Sequence, residues 1–178
     1  MTAQGFTVFR TGIGHCGLAW GEHGVVGAQL PEGSEHQTRA RMRQRFPEAP
    51  ETEPPPTVRQ ALDDIVALLD GGRPDLSTVE LDMTGVPDFH RKVYDLARAI
   101  PPGTTLTYGD IAHQLGMPRA AQAVGQAMGR NPFAPIVPCH RVLAAGGKDG
   151  GFSANGGVVT KRRMLVIEGA LADEPTLF

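Results

Sequence analysis

The chain has 178 residues, 40% of them hydrophobic, which is apolar material enough for one good-sized domain or two small ones without disulfide staples. Two widely separated cysteines, Cys16 and Cys139, exclude a disulfide framework; an N-terminus without a signal-peptide core, and no apolar run near the ~20 residues that span a bilayer, point to a cytoplasmic protein with reduced thiols and no membrane partner. The net charge of −2 hides an asymmetry: residues 1–88 hold 7 Lys and Arg against 13 Asp and Glu, residues 89–178 hold 10 against 6, so a basic C-terminal half could meet a polyanion or simply be a solvated face.

In chain order, residues 6–30 read as short strands (FTVF, GLAW, VVGAQL) separated by glycine turns, with GEHG as a hairpin connection. Residues 35–46, EHQTRARMRQRF, predict a helix with a solvated face, and EAPETEPPP an extended connector. In residues 57–72, Val58, Leu62, Ile65, Val66 and Leu69 recur at helical spacing, with Thr57 as cap and Gly71-Gly72 as the stop. Residues 77–87 alternate through Val79, Leu81 and Met83 and predict a strand. The N-terminal part, residues 1–88, is therefore expected to be a small α/β domain with an antiparallel sheet.

From residue 89 the composition changes. Residues 89–100 form an amphipathic helical pattern through Phe89, Val93, Leu96 and Ile100. A short helix from Tyr108 to Leu115 then stops at Gly116, and Pro118 opens a second that runs to about Arg130 and ends at Asn131-Pro132. Ala112 and the turn glycine permit a close crossing, the helix-turn-helix pattern. The second helix carries Ala120, Ala121, Ala123, Gly125, Ala127 and Gly129. So small a surface suits either tight internal packing or close approach to a duplex, with Arg119, Gln122, Gln126 and Arg130 supplying hydrogen bonds.

The stretch IVPCHRVL places Cys139 between Pro138 and His140, with Arg141 next. A free thiol is only slightly ionised at neutral pH, so a nucleophilic role calls for a nearby base or cation. His140 adjoins Cys139 in sequence without having to face it; a bridging water would connect them. Glu168, within MLVIEGA, reads from its neighbours alone as the solvent side of a helix, the alternative being a carboxylate held by a partner.

PCHRV, with TYGDIA, AVGQAMGRNP, GGFSANGG and KRRMLVIEGA around it, resembles the active-site region of the O6-alkylguanine-DNA alkyltransferases over roughly residues 89–170. The resemblance implies an α+β protein whose residues 89–178 form a winged helix-turn-helix-like, mostly helical domain for DNA binding and alkyl transfer. Such a protein enters the minor groove of double-stranded DNA, flips the alkylated base out and moves its O6 alkyl group irreversibly to a cysteine. O4-alkylthymine is a further candidate substrate. No cofactor is implied.

Carried over residue by residue, the resemblance makes Cys139 the nucleophile, His140 its base through a water, Glu168 the group that holds the imidazole, and Tyr108 the residue that helps rotate the nucleotide and protonates the leaving oxygen. Asn131 braces the turn before the active-site segment, and Lys161 lies near the site. Met128 lines the base pocket, the carbonyls of Cys139 and Val142 read the guanine amino group, and Gly151, Phe152 and Ser153 belong to a closing loop. Arg119, Gln122, Gln126, Arg130 and Arg141 are the expected DNA contacts, and the protein is expected to be monomeric, with cooperative assembly along DNA left open.

Two departures stand out. Gln122 occupies the place where the family usually has an intercalating arginine, and glutamine lacks that residue's charge and planar fork; Arg119 is a potential replacement. The loop GFSANGG is longer by about two residues than the family's shorter version. Some members carry zinc, but Cys16, His15 and His23 match no zinc spacing, so no metal is expected. The competing readings are a lesion-binding relative that transfers nothing, and a cysteine hydrolase, which leaves the helix-turn-helix unexplained.

Overall fold

The computed structural model describes residues 2–147 and 156–171. It opens with a three-stranded antiparallel sheet in the order β1 (Gly5–Thr11), β2 (Gly14–Gly21), β3 (Gly24–Gln29). Alternation along β2 sends Cys16, Leu18 and Trp20 into the main core and Ala19 to a smaller cluster on the other face with Phe6, Val26, Met42 and Phe46. Helix α1 (Glu35–Arg45) covers that second face. It is less solvated than its sequence suggests. Thr38 and Met42 are fully buried, and the Thr38 hydroxyl donates to the carbonyl of His15 at 3.0 Å. Two buried positions in eleven make no periodic signal, yet Gly17 opens the sheet for Met42: a Cβ there would stand 2.6 Å from its sulfur.

The connector lies along β1, with Phe6 N–H donating to Pro50 O at 3.0 Å and Thr52 N–H to Phe6 O at 3.0 Å. Helix α2 (Pro56–Leu69) starts one residue earlier than expected, with Pro55 at the cap position and proline in the first turn, so Thr57 is inside the helix and is not its cap. Its buried face is Val58, Ala61, Leu62, Ile65, Leu68 and Leu69; each large aliphatic here contributes roughly 1.5–3 kcal/mol on burial.

Residues 77–87 do not form the expected strand. Leu76–Thr78 is a 3-10 turn, and the following segment touches the sheet at one parallel bridge, Val25 with Leu81. The alternation is real, since Val79, Leu81 and Met83 pack on the core. The ladder stops because Asp82 turns back to accept from Thr84 N–H at 3.0 Å and Gly85 reverses the chain.

The second half holds α3 (Asp88–Arg98), β4 (Leu106–Thr107), α4 (Tyr108–Gln114), α5 (Ala121–Gly129), β5 (Val142–Leu143) and α6 (Val158–Glu168). Strands β4 and β5 pair in parallel. A capping box starts α4: Thr107 Oγ1 accepts from Asp110 N–H, and Asp110 accepts from Thr107 N–H. Helix α5 begins three residues later than expected because Met117–Ala120 forms a turn of its own, which leaves Arg119 ahead of the helix. One apolar cluster runs from Leu18 and Trp20 through Ile65 and Leu68 to Val93, Ile111, Val124, Phe133 and Met164, joining both halves. No helix of the described residues is long and apolar enough to cross a membrane.

Candidate active site

Cys139 begins a 3-10 turn (Cys139–Arg141) between Pro138 and β5. Its own N–H donates to Val137 O at 2.9 Å and Arg141 N–H donates to Pro138 O at 2.9 Å, so the thiol sits on a tight, bonded stretch of backbone. The side chain of His140 is fully buried, with Nε2 2.7 Å from Glu168 Oε2. Arg141 closes on the same carboxylate through Nε to Oε1 at 2.7 Å and Nη2 to Oε2 at 2.9 Å, and its Nη1 donates to Ile100 O at 2.7 Å. Glu168, expected from its neighbours on a solvent face, is only 5% exposed. Its helix runs across the site and turns this residue inward, a placement the local run of apolar residues does not encode.

The arrangement decides the tautomer. A carboxylate only accepts, so His140 Nε2 carries the hydrogen and Nδ1 is a bare acceptor. Nδ1 is buried and has no partner. Burial holds His140 below the ordinary imidazole value of 6.5; Glu168 opposes this, while the charges of Arg141 and Lys161 add to it. Burial would also raise Glu168, but the hydrogen bonds and charges of His140 and Arg141 outweigh it and hold the carboxyl at about 2. At rest the imidazole is thus neutral, with Nδ1 unprotonated and Nε2 bonded to a carboxylate that Arg141 neutralises.

The thiol is at rest as a thiol. Burial pushes Cys139 above its ordinary 9.0, and the Asn131 side chain, the Lys161 charge and local main-chain groups oppose this without prevailing. Asn131 itself is pinned on both ends, donating to Val137 O at 2.8 Å and accepting from Phe133 N–H at 2.9 Å. Lys161 is fully buried and donates to Val142 O at 3.0 Å. Tyr108 lies half-buried against α5, where a Cβ on Gly125 would be 3.3 Å from its ring; burial and then the Cys139 charge raise its phenol.

These ionisations carry a sign. Between its folded value and 6.5, His140 binds a proton in the unfolded chain and not in the native one. Stability present above pH 6.5 is expected to fall as the pH drops below it. Glu168 adds a second loss between 4.5 and about 2. Urea unfolding from pH 8 to 4 checks this: a midpoint flat below pH 6.5 contradicts the buried neutral imidazole.

Residues 88–170 match the family model described as 6-O-methylguanine DNA methyltransferase, DNA binding domain. A methylated-DNA–protein-cysteine methyltransferase of Methanothermobacter thermautotrophicus is 36% identical over 154 residues, 86% of this chain and 78% of that one. The Mycobacterium tuberculosis protein of the same name is 50% identical over 101 residues, 56% of this chain and 59% of that one. In structure, the M. tuberculosis OGT solved in complex with DNA superposes with a TM-score of 0.72 at 35% identity, over 93% of this chain and 92% of that one. The chain belongs to the methylated-DNA–protein-cysteine methyltransferase family.

Against that family's pattern, the structure brings Cys139, His140, Glu168, Asn131, Lys161 and Tyr108 into one neighbourhood. Met128 is buried at the end of α5, and Val142 is buried with its carbonyl already accepting from Lys161; the Cys139 carbonyl accepts from Val142 N–H. Arg119, Gln122, Gln126 and Arg130 are exposed, Gln122 and Gln126 one turn apart on α5 and the two arginines flanking its ends. Arg141 does not join them: expected as a DNA contact, it is 5% exposed and its guanidinium is committed to Glu168 and Ile100. Gly151, Phe152 and Ser153 lie outside the described residues.

Sequence reading missed two members. The Tyr94 hydroxyl donates to Ala127 O at 2.7 Å beneath α5, and burial followed by the Cys139 charge pushes it up to about 12. Arg45 ties the halves together, donating to Ala28 O at 2.8 Å and Pro132 O at 3.2 Å, beside Asn131. The arginine cluster of α1 was visible in the sequence, but its target, 87 residues away, was not. A cavity of about 350 Å³ reaches Cys139 between Arg41, Arg45 and Arg130. Among the described residues no three His, Cys, Asp or Glu side chains converge as a metal site would require. Cys16 is buried, which pushes its thiol up to about 12.

Proposed function

We propose that this protein repairs alkylated DNA by direct reversal, taking the O6 alkyl group of a guanine onto Cys139 in a single turnover. The observation that carries the reading is the bare, buried Nδ1 of His140, adjoining the thiol in sequence, with Nε2 locked on the Glu168–Arg141 pair. His140 takes the thiol proton through a water. The sulfur then attacks the alkyl carbon, the carbon–oxygen bond breaks, and guanine is restored as Tyr108 gives it a proton, the resulting phenolate being neutralised by the proton that His140 took from the thiol. The product thioether has no leaving group, so the protein is spent.

The partner is double-stranded DNA, met by Arg119, Gln122, Gln126 and Arg130 in the minor groove, with the damaged base flipped toward Met128. Small residues on α5 permit that approach, and phosphate contacts make the affinity salt-dependent. The protein acts as a monomer. Duplex containing O6-methylguanine is expected to add one methyl to the Cys139 peptide, read by mass spectrometry, at no more than one per protein.

Gln122 favours one other reading, a lesion-binding protein that transfers nothing, because glutamine holds the vacated base position less firmly than arginine. Tight lesion binding with an unmodified Cys139 supports that reading. The Gln122→Arg variant is expected to transfer several-fold faster; a rate equal to the parent shows that Gln122 is no handicap.

A further inference from the structure

Arg45, the last residue of α1, carries a charge that no carboxylate balances. Its Nη1 donates to Ala28 O at 2.8 Å and Gln29 Oε1 at 3.1 Å, its Nη2 to Pro132 O at 3.2 Å, and the Phe46 ring lies 4.9 Å from it. The one charge that bears on it is another cation, Arg41; burial, and then that charge, bring its pKa down to about 10. It stays charged at neutral pH, and a desolvated cation without a counter-charge costs stability that an apolar residue there would not. What its fork holds is therefore the point of interest.

The fork holds the turn that leads to the nucleophile. Pro132 O accepts twice from the first half of the chain, from Ala28 N–H at 2.9 Å and from Arg45 Nη2, while Arg45 Nη1 returns to Ala28 O. The end of β3, the end of α1 and the Asn131-Pro132 turn are thus closed into one ring of bonds. Asn131, the residue before, donates to Val137 O and accepts from Phe133 N–H, and the same side chain acts on Cys139, where it favours the ionised sulfur.

We infer that Arg45 is a positioning residue for alkyl transfer: from the first half of the chain it fixes the Pro132 carbonyl, and with it the Asn131 amide that steadies the Cys139 thiolate. The inference rests on Cys139 being the nucleophile, and it makes residues 1–88 a working part of the site. Lysine cannot replace the fork, because its donors radiate from one nitrogen and do not span carbonyls of both halves.

The test follows alkylation of the Cys139 peptide by iodoacetamide against pH, by mass spectrometry on the full chain without DNA. In Arg45→Lys the charge remains, as do His140, Lys161, Tyr94 and Tyr108 around the sulfur and Glu32, Arg41 and Arg130 along the cavity. The midpoint of sulfur reactivity is expected to move up by roughly one unit, the weight of one hydrogen bond to a charged group. Single-turnover transfer from O6-methylguanine duplex is expected to slow several-fold at neutral pH, with lesion affinity unchanged. Gln29→Leu removes only the Gln29 Oε1 contact and is expected to move the midpoint the same way by less, so a misfolded Arg45 variant leaves the inference testable. The iodoacetamide midpoint needs no lesion, so a parent that takes no methyl from duplex fails the repair reading separately. A parental midpoint in Arg45→Lys overturns the inference, and a shift confined to Arg45→Met then assigns the effect to charge alone.

Discussion

Replacing Arg141 by methionine is expected to cost the protein roughly 3–5 kcal/mol of stability, because a buried carboxylate loses the partner that neutralises it. Glu168 keeps only His140, a neutral donor, against a desolvation penalty that the two Arg141 bonds at 2.7 and 2.9 Å now offset. The Ile100 carbonyl also loses its donor. The strained carboxylate answers by rising from about 2 or by drawing a proton onto His140, so the variant is expected to transfer more slowly at neutral pH as well. Urea unfolding separates this from the role a basic residue in a DNA-binding half suggests. A phosphate contact would leave the unfolding midpoint in place and lower the salt slope of DNA binding by about 0.9. A variant with parental stability and a reduced slope refutes the buried-pair account.

Glu168→Gln is expected to slow alkyl transfer on the order of 10²-fold or more while leaving lesion binding nearly intact, the size usual for disabling general base catalysis. Glutamine has one acceptor oxygen where the carboxylate offers two, and its amide would face the Nε2 hydrogen or an Arg141 donor, so one donor is left opposed. The imidazole loses the bond that keeps its hydrogen on Nε2 and its lone pair on Nδ1. The thiol, which burial already holds above 9.0, then has no oriented base. Raising the pH is expected to recover part of the rate in the variant, since hydroxide can do what Nδ1 did. Single-turnover transfer measured against pH checks this. Equal rates in parent and variant at neutral pH would show that Glu168 does no more than hold the fold together.

These two outcomes turn on contacts that no local pattern reports. The strands of the first thirty residues, the α2 face and the helix-turn-helix were legible because each rests on short-range chemistry: period-2 alternation, helical spacing, a glycine at a turn; on α3 the spacing found Val93 and missed Tyr94 and Ala97. PCHRV likewise marked Cys139 and His140, since the residue types themselves carry the chemistry. The strand expected at residues 77–87 failed at the next level, where alternation alone does not supply a neighbouring strand along its whole length.

By itself, then, the sequence determined the α+β class, the family resemblance and the candidate nucleophile Cys139 with its neighbouring histidine, all properties of residues close together in the chain. Only the tertiary structure decided that Arg141 serves the Glu168 carboxylate and that Arg45 grips Pro132; that Glu168 holds the imidazole was implied by the resemblance and not by its neighbours in the chain. Each depends on groups tens of residues apart, and which of two long, flexible side chains meets a buried partner is settled by packing.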